Sequence, residues 1–166
     1  MYSVAKTFHV PIGHRLSKHK GACKNFHGHN LKITVVISSV KLDSNDMVID
    51  FSVLKKLVNN AALKSWDHCC ILNMNDKKND EYMRKNGYNV FTIECDPTSE
   101  ALCRILYEEL DGELKRNKKI RRTLYVEKVR IWESDDSWAE YVPDWQMSFN
   151  GLPLPKVDHL EMDYYP

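Results

Sequence analysis

Apolar residues recur at every second position near the start of the chain. Val4, Phe8, Val10 and Ile12 share one parity, Lys6 is the only polar interruption between them, and His14 falls on the same face. That alternation predicts a strand with one buried face. Residues 15–26, RLSKHKGACKNF, break the pattern and read as a loop. A second alternation follows, with Leu31, Ile33, Val35 and Ile37 on one face and Lys32 and Thr34 opposite. Stepping back by twos from Leu31 reaches His29 and then His27. Two predicted strands therefore each extend an apolar face into histidine. Gly28 lies on the opposite face, where a glycine permits close backbone approach.

The period then changes. Asp50 reads as a helix N-cap, and Phe51, Leu54, Leu57, Val58, Ala61 and Ala62 recur at helical spacing. That helix is expected to end near WDH, residues 66–68. Residues 73–91 are polar and irregular. DPTSEALCRILYEEL, from Asp96, predicts a second helix with Asp96 capping and Pro97 in the first turn. LYVEKVRIWE (124–133) predicts a third strand and WAEYV (138–142) a fourth, across the turn SDDS. The order is ββααββ, an α+β chain with a single domain over residues 1–142. Residues 143–166, with four prolines and scattered aromatics, read as an irregular C-terminal extension.

Composition narrows the function. A chain of 166 residues with 43% hydrophobic content is long enough for one domain with a real core. A net charge of +1 is no field for holding nucleic acid. No run is apolar and long enough for a signal peptide or a membrane span. Five cysteines, with Cys69 and Cys70 adjacent, suit reduced thiols in a cytoplasmic protein better than a disulfide framework.

An isolated His-x-His is weak evidence for metal, because two strand histidines bonded to backbone give the same pattern. An antiparallel hairpin changes the balance. His14 would leave the first strand at the end where His27 and His29 enter the second, and all three would project from one face. Three imidazoles suit zinc and leave a fourth position open, as in catalytic sites. His9 has the wrong parity and His19 sits in mid-loop; both are expected at the surface. Cys23 has three readings on spacing alone: a fourth ligand that closes the site, a loop bystander, or a reactive thiol. Arg15, Lys18, Lys20 and Lys24 crowd the same loop without an acidic neighbour, which favours either a triphosphate or plain solvation. The run KRNKKIRR (115–122) reads as a solvated connection, with Asp158, Glu161 and Asp163 as possible counter-charges.

Six stretches in order carry a resemblance: GHRL (13–16), CKNFHGHN (23–30), MVIDFSVLKK (47–56), WDHCCILN (66–73), PTSE (97–100), and VRIWES (129–134) followed by SWAEY (137–141). Together they resemble the 6-pyruvoyltetrahydropterin synthase family, most closely its bacterial 6-carboxy-5,6,7,8-tetrahydropterin synthase branch of queuosine biosynthesis. The three-residue gap between Cys23 and His27 matches that branch. Animal enzymes of tetrahydrobiopterin synthesis have a longer gap, and a folate-linked branch carries glutamate at the Cys23 position. Val10, Gly13, Asp46, a longer 73–96 segment and the C-terminal extension depart from the family pattern.

The resemblance implies the tunnelling fold, a four-stranded antiparallel sheet with two helices on one face. It also implies a homo-oligomer, hexamer or tetramer, closed into barrels. It implies zinc on His14, His27 and His29, Cys23 as a catalytic thiol, and Asp67 and His68 as a proton-relay pair. Glu133 would anchor the pterin, with Glu100 near the ring. Glu133 shares parity with Val129 and Ile131, which points it toward the apolar side, where a carboxylate needs N–H donors. The implied reaction converts 7,8-dihydroneopterin triphosphate to 6-carboxytetrahydropterin, acetaldehyde and triphosphate. Triphosphate elimination to the 6-pyruvoyl product is the second enzymatic reading. A non-catalytic pterin- or nucleic-acid-binding module is the third, with KRNKKIRR as its contact.

Overall fold

A computed structural model describes residues 1–117 and 124–144. Most of the basic run 115–122 and nearly all of the C-terminal extension lie outside these residues, as do Asp158, Glu161 and Asp163.

Both alternating segments are long strands, β1 (Tyr2–His14) and β2 (His27–Ser39). They pair antiparallel without a slip, from Tyr2 opposite Ser39 to His14 opposite His27. Phe8, Val10, Ile12, Leu31, Ile33, Val35 and Ile37 are buried, as the alternation requires. Lys6 interrupts that face half-buried, with its ammonium 5.5 Å from the centre of the Phe51 ring.

The first helix, α1 (Phe51–Val58), is capped by Asp50, whose carboxylate accepts from the Ser52 N–H at 2.6 Å. It runs into a π-helical turn (Asn59–Leu63) and a last α-helical turn, α2 (Lys64–Trp66). Leu54, Leu57, Val58, Ala62, Leu63 and Trp66 face the core, whereas Phe51 is exposed. The wider π turn shifts the helical phase. Trp66 is fully buried and Asp67 and His68 emerge exposed.

The sheet differs from the four antiparallel strands expected. Six strands align in the order β4-β3-β1-β2-β5-β6. The two added strands are β3 (Cys69–Asn73) and β4 (Val90–Ile93), joined by α3 (Lys77–Lys85). β3 lies parallel to β1, with Ile12 opposite Cys69, and β4 lies parallel to β3. The segment 73–91, read as irregular, thus holds one helix and the first half of β4. A parallel neighbour needs a crossover connection, and α3 supplies it.

α4 (Ser99–Arg116) buries Leu102, Cys103, Leu106, Tyr107, Leu110 and Leu114 against β5 (Leu124–Trp132) and β6 (Trp138–Tyr141). Each fully buried leucine there contributes about 1.5–3 kcal/mol. Its cap is Thr98, whose hydroxyl accepts from Ala101 N–H at 3.2 Å, not Asp96. Asp96 is turned away to other donors: Ser17 Oγ at 2.6 Å, the Lys18 N–H at 2.8 Å and Asn73 Nδ2 at 2.8 Å.

Candidate functional site

His14 and His27 stand directly opposite each other at the end of the β1–β2 ladder, and His29 faces Ile12 two pairs further in. Their ring centres lie 4.5, 5.1 and 5.2 Å apart. One nitrogen from each ring falls within 4.8 Å of the other two, so the three can hold one metal ion. Gly28 makes this packing possible. A Cβ there would come within 2.7 Å of the Ile12 carbonyl oxygen, a contact no side chain tolerates.

The outer nitrogens are already committed. His14 donates from Nδ1 to the Pro97 carbonyl at 2.8 Å, and His27 donates from Nδ1 to the Asn25 carbonyl at 2.9 Å. Both bonds leave Nε2 as the lone-pair atom, the arrangement seen in metal-binding histidines. His14 is 2% exposed, and its Nε2 is buried without any hydrogen-bond partner. Burial pushes the His14 imidazole below its ordinary value, against the opposing Pro97 bond and with added repulsion from His27. A neutral, buried, unpartnered imidazole nitrogen fits a metal ligand.

Cys23 lies outside this cluster. It sits half-buried in a 3₁₀ turn (Ala22–Lys24), with its carbonyl accepting from the Leu16 N–H at 2.9 Å. Asp67 and His68 form a pair of their own, with His68 Nδ1 donating to Asp67 Oδ1 at 2.7 Å. Both side chains are exposed, 57% and 78% respectively. His68 adopts a left-handed φ of 55°, and its N–H donates to the Pro11 carbonyl at 2.9 Å. Such a conformation is costly for a residue with a Cβ and is held here by that bond. No hydrogen bond joins Cys23 to Asp67 or His68 among the described residues.

The two glutamates do meet. Glu100, in the first turn of α4, and Glu133, just past the end of β5, line one cleft of about 330 Å³ with Leu16, Thr98, Ser99 and Trp138. Glu133 is half-buried, as its parity predicts, and near enough to His14 to favour the charged form of that ring. The cleft therefore adjoins the histidine cluster. His9 and His19 are exposed surface residues, as expected.

Sequence reasoning missed the supporting bonds. Pro97, read only as a first-turn proline, orients His14 through its carbonyl. Arg15, grouped with the free cations, is paired with Asp76 at 2.9 Å and donates from Nε to the Lys24 carbonyl at 2.9 Å. Lys18, Lys20 and Lys24 remain exposed and make no ion pair among the described residues. Asp76 comes from the segment read as irregular and Asp96 was read as a helix cap, so no local pattern paired either with the loop.

Fold and site together define an α+β protein with a three-histidine cluster able to hold a metal ion beside a carboxylate-lined cleft. The sequence profile of 6-pyruvoyl tetrahydropterin synthase matches residues 3–144, and the chain belongs to that family. A 6-carboxy-5,6,7,8-tetrahydropterin synthase from Haemophilus influenzae is 30% identical over 147 residues, 85% of this chain and 99% of its own. The Aquifex aeolicus protein of the same name is 30% identical over 159 residues, covering 84% of this chain and 97% of its own. Among solved structures, an uncharacterized protein from Wolinella succinogenes superposes with a TM-score of 0.69 at 22% identity, covering 85% of this chain and 97% of that one. The 6-pyruvoyl tetrahydropterin synthase of Plasmodium vivax gives 0.59 at 19% identity, covering 85% and 98%. Those two likenesses concern the fold. No helix among the described residues is long and apolar enough to cross a membrane.

Proposed function

We propose that the chain is a zinc-dependent 6-carboxy-5,6,7,8-tetrahydropterin synthase, a lyase of 7-deazaguanine (queuosine) biosynthesis. It would convert 7,8-dihydroneopterin triphosphate to 6-carboxytetrahydropterin, acetaldehyde and triphosphate. The observation that carries this reading is the buried, unpartnered Nε2 of His14 beside His27 and His29. The names of the relatives from Haemophilus and Aquifex, and the short gap between Cys23 and His27, favour the carboxy product.

Three imidazoles suit zinc, and a fourth position stays open because Cys23 is outside the cluster. When bound there, the metal supplies Lewis-acid polarisation of the substrate's side-chain hydroxyls. Glu133 and Glu100 accept the ring and amino N–H groups of the pterin in their cleft, which orients the side chain toward the histidines. Cys23, as thiolate, takes a proton from the side chain. His68 returns a proton, and the Asp67 carboxylate holds its Nδ1–H and orients the ring. Lys18, Lys20 and Lys24 offer unpaired cations to the triphosphate. The protein would work in the cytoplasm as a homo-oligomer whose sheets join into a barrel.

One incubation tests the reading. Zinc-loaded protein is given 7,8-dihydroneopterin triphosphate and the products are identified by mass analysis. The expected products are 6-carboxytetrahydropterin and acetaldehyde. A 6-pyruvoyl product without acetaldehyde would assign the other synthase reaction, and unchanged substrate would sink both.

A further inference from the structure

The loop between the first two metal ligands is held at two points by carboxylates from the 73–96 segment. Asp76 Oδ2 accepts from Arg15 Nη1 at 2.9 Å, and the two side chains are only 11% and 20% exposed. Asp96 accepts three bonds at once. Its Oδ1 takes Ser17 Oγ at 2.6 Å and Asn73 Nδ2 at 2.8 Å, and its Oδ2 takes the Lys18 N–H at 2.8 Å. Asn73, at 1% exposure on the last position of β3, is a rigid anchor. Leu16 lies between the two clasped residues Arg15 and Ser17, and its N–H donates to the carbonyl of Cys23 at 2.9 Å. A continuous line of bonds thus runs from β3 through Asp96 and the loop to Cys23.

All three partners of Asp96 donate to it, so only a carboxylate satisfies them together. Burial works against its charge, but the bonds from Ser17, Lys18 and Asn73 outweigh that and hold its carboxyl below the usual range. An asparagine in the same place offers one acceptor oxygen and turns an N–H₂ toward a donor. Such a requirement exceeds what a solvated surface loop needs. The Asp96 carboxylate belongs neither to the histidine cluster nor to the lining of the cleft, although its backbone carbonyl accepts from the Thr98 N–H at 2.8 Å.

We propose that Asp96 is a positioning residue, which sets the place of Cys23 relative to the three histidines by clasping Ser17 and Lys18. The proposal rests on the catalytic assignment of Cys23 given above. The test uses full-length, zinc-loaded protein in four forms: wild type, Asp96→Asn, Ser17→Ala and Asp80→Asn. Asp80 pairs with Arg84 at 2.7 Å on the outside of α3 and serves as the control from the same segment. Peptide-resolved alkylation reports Cys23, with Cys70 on β3 as internal reference.

In Asp96→Asn, zinc stays at one per chain and KM stays within about twofold, while kcat falls about tenfold, the scale of one lost charge-assisted hydrogen bond. The alkylation rate of Cys23 relative to Cys70 shifts at least about fivefold by the same loss of fixed geometry. Ser17→Ala moves both quantities in the same direction by less, and Asp80→Asn moves neither. Loss of zinc in proportion to kcat overturns the proposal, because Asp96 would then support the metal site as a whole. Wild-type kcat or wild-type Cys23 reactivity in both clasp variants also overturns it. Should Asp96→Asn fail to fold, Ser17→Ala decides alone. Should the wild type turn over no pterin, the functional reading fails and the alkylation ratio still decides the clasp.

Discussion

His14 is the most buried of the three imidazoles, and its position explains why removing a neighbour has a distinct signature. With Nδ1 given to Pro97, Nε2 is left unpartnered beside His27 and His29, as a metal ligand requires. His27→Ala or His29→Ala leaves two ligands, so metal and activity are expected to vanish together in both variants. Cys23→Ala removes no member of the cluster and is expected to keep its zinc and lose turnover. Metal analysis of the purified variants distinguishes these outcomes, and zinc loss in Cys23→Ala would make that thiol a ligand. The remaining thiols give a second prediction. Burial pushes Cys69 and Cys70 up to about 11 and Cys103 up to about 12. A raised thiol pKa means little thiolate at neutral pH. Alkylation of half-exposed Cys70 should therefore be slow at pH 7 and rise about tenfold per pH unit up to its pKa. A Cys70 rate that is flat between pH 7 and 9 would contradict the burial seen around it.

The β1–β2 hairpin shows how far local pattern reaches. Its strands, its register and its histidine face follow from period-2 alternation, because a one-residue slip would turn every apolar side chain outward. The cap of α1, its apolar face apart from the exposed Phe51, and the existence of α4 were legible for the same kind of reason. The β3–α3–β4 unit was not. β3 is an apolar run, CCILN, without alternation, and α3 buries no residue at all, so neither carries a periodic signal. The cap of α4 was misread because Asp96 and Thr98 are both good caps, and only the distant donors Ser17, Lys18 and Asn73 decide between them. Within the site, the gathering of His14, His27 and His29 was legible and the carbonyls of Pro97 and Asn25 that orient two of them were not, since backbone partners leave no mark on residue type. Gly28 and Gly13, which face each other, supply the prediction at this scale. A Cβ on Gly28 meets the Ile12 oxygen at 2.7 Å, whereas one on Gly13 meets nothing closer than 3.7 Å. Gly28→Ala must push the strands apart between two ligands, at a cost of about 1–3 kcal/mol, read as a Tm lower by roughly 3–10 °C. Zinc affinity should fall with it, and Gly13→Ala should change neither. Equal Tm values for the two variants would show that the ladder end yields freely.

At the scale of the whole molecule, the sheet has an unfinished edge. β3 pairs with β1 only at Ile12–His14 and His68 caps Pro11, so Tyr2–Val10 lacks a second strand neighbour among the described residues, where β6 too is paired on one side only. Long open edges invite pairing with another chain. The exposed Asp67–His68 pair and the half-buried Cys23 are unconnected within one chain, which fits a site completed by a second copy. If Cys23 of one subunit works with Asp67 and His68 of another, two dead variants can repair each other. Cys23→Ala and His68→Ala are denatured together and refolded as a mixture. Sites formed between unlike chains then include some with both an intact Cys23 and an intact His68, and activity should return to a fraction of wild type. Each variant refolded alone stays inactive. If every site were built within one chain, all mixed sites would still lack one group. A mixture that tagged pull-down shows to hold both chains in one oligomer, yet recovers no activity, would rule out the shared site.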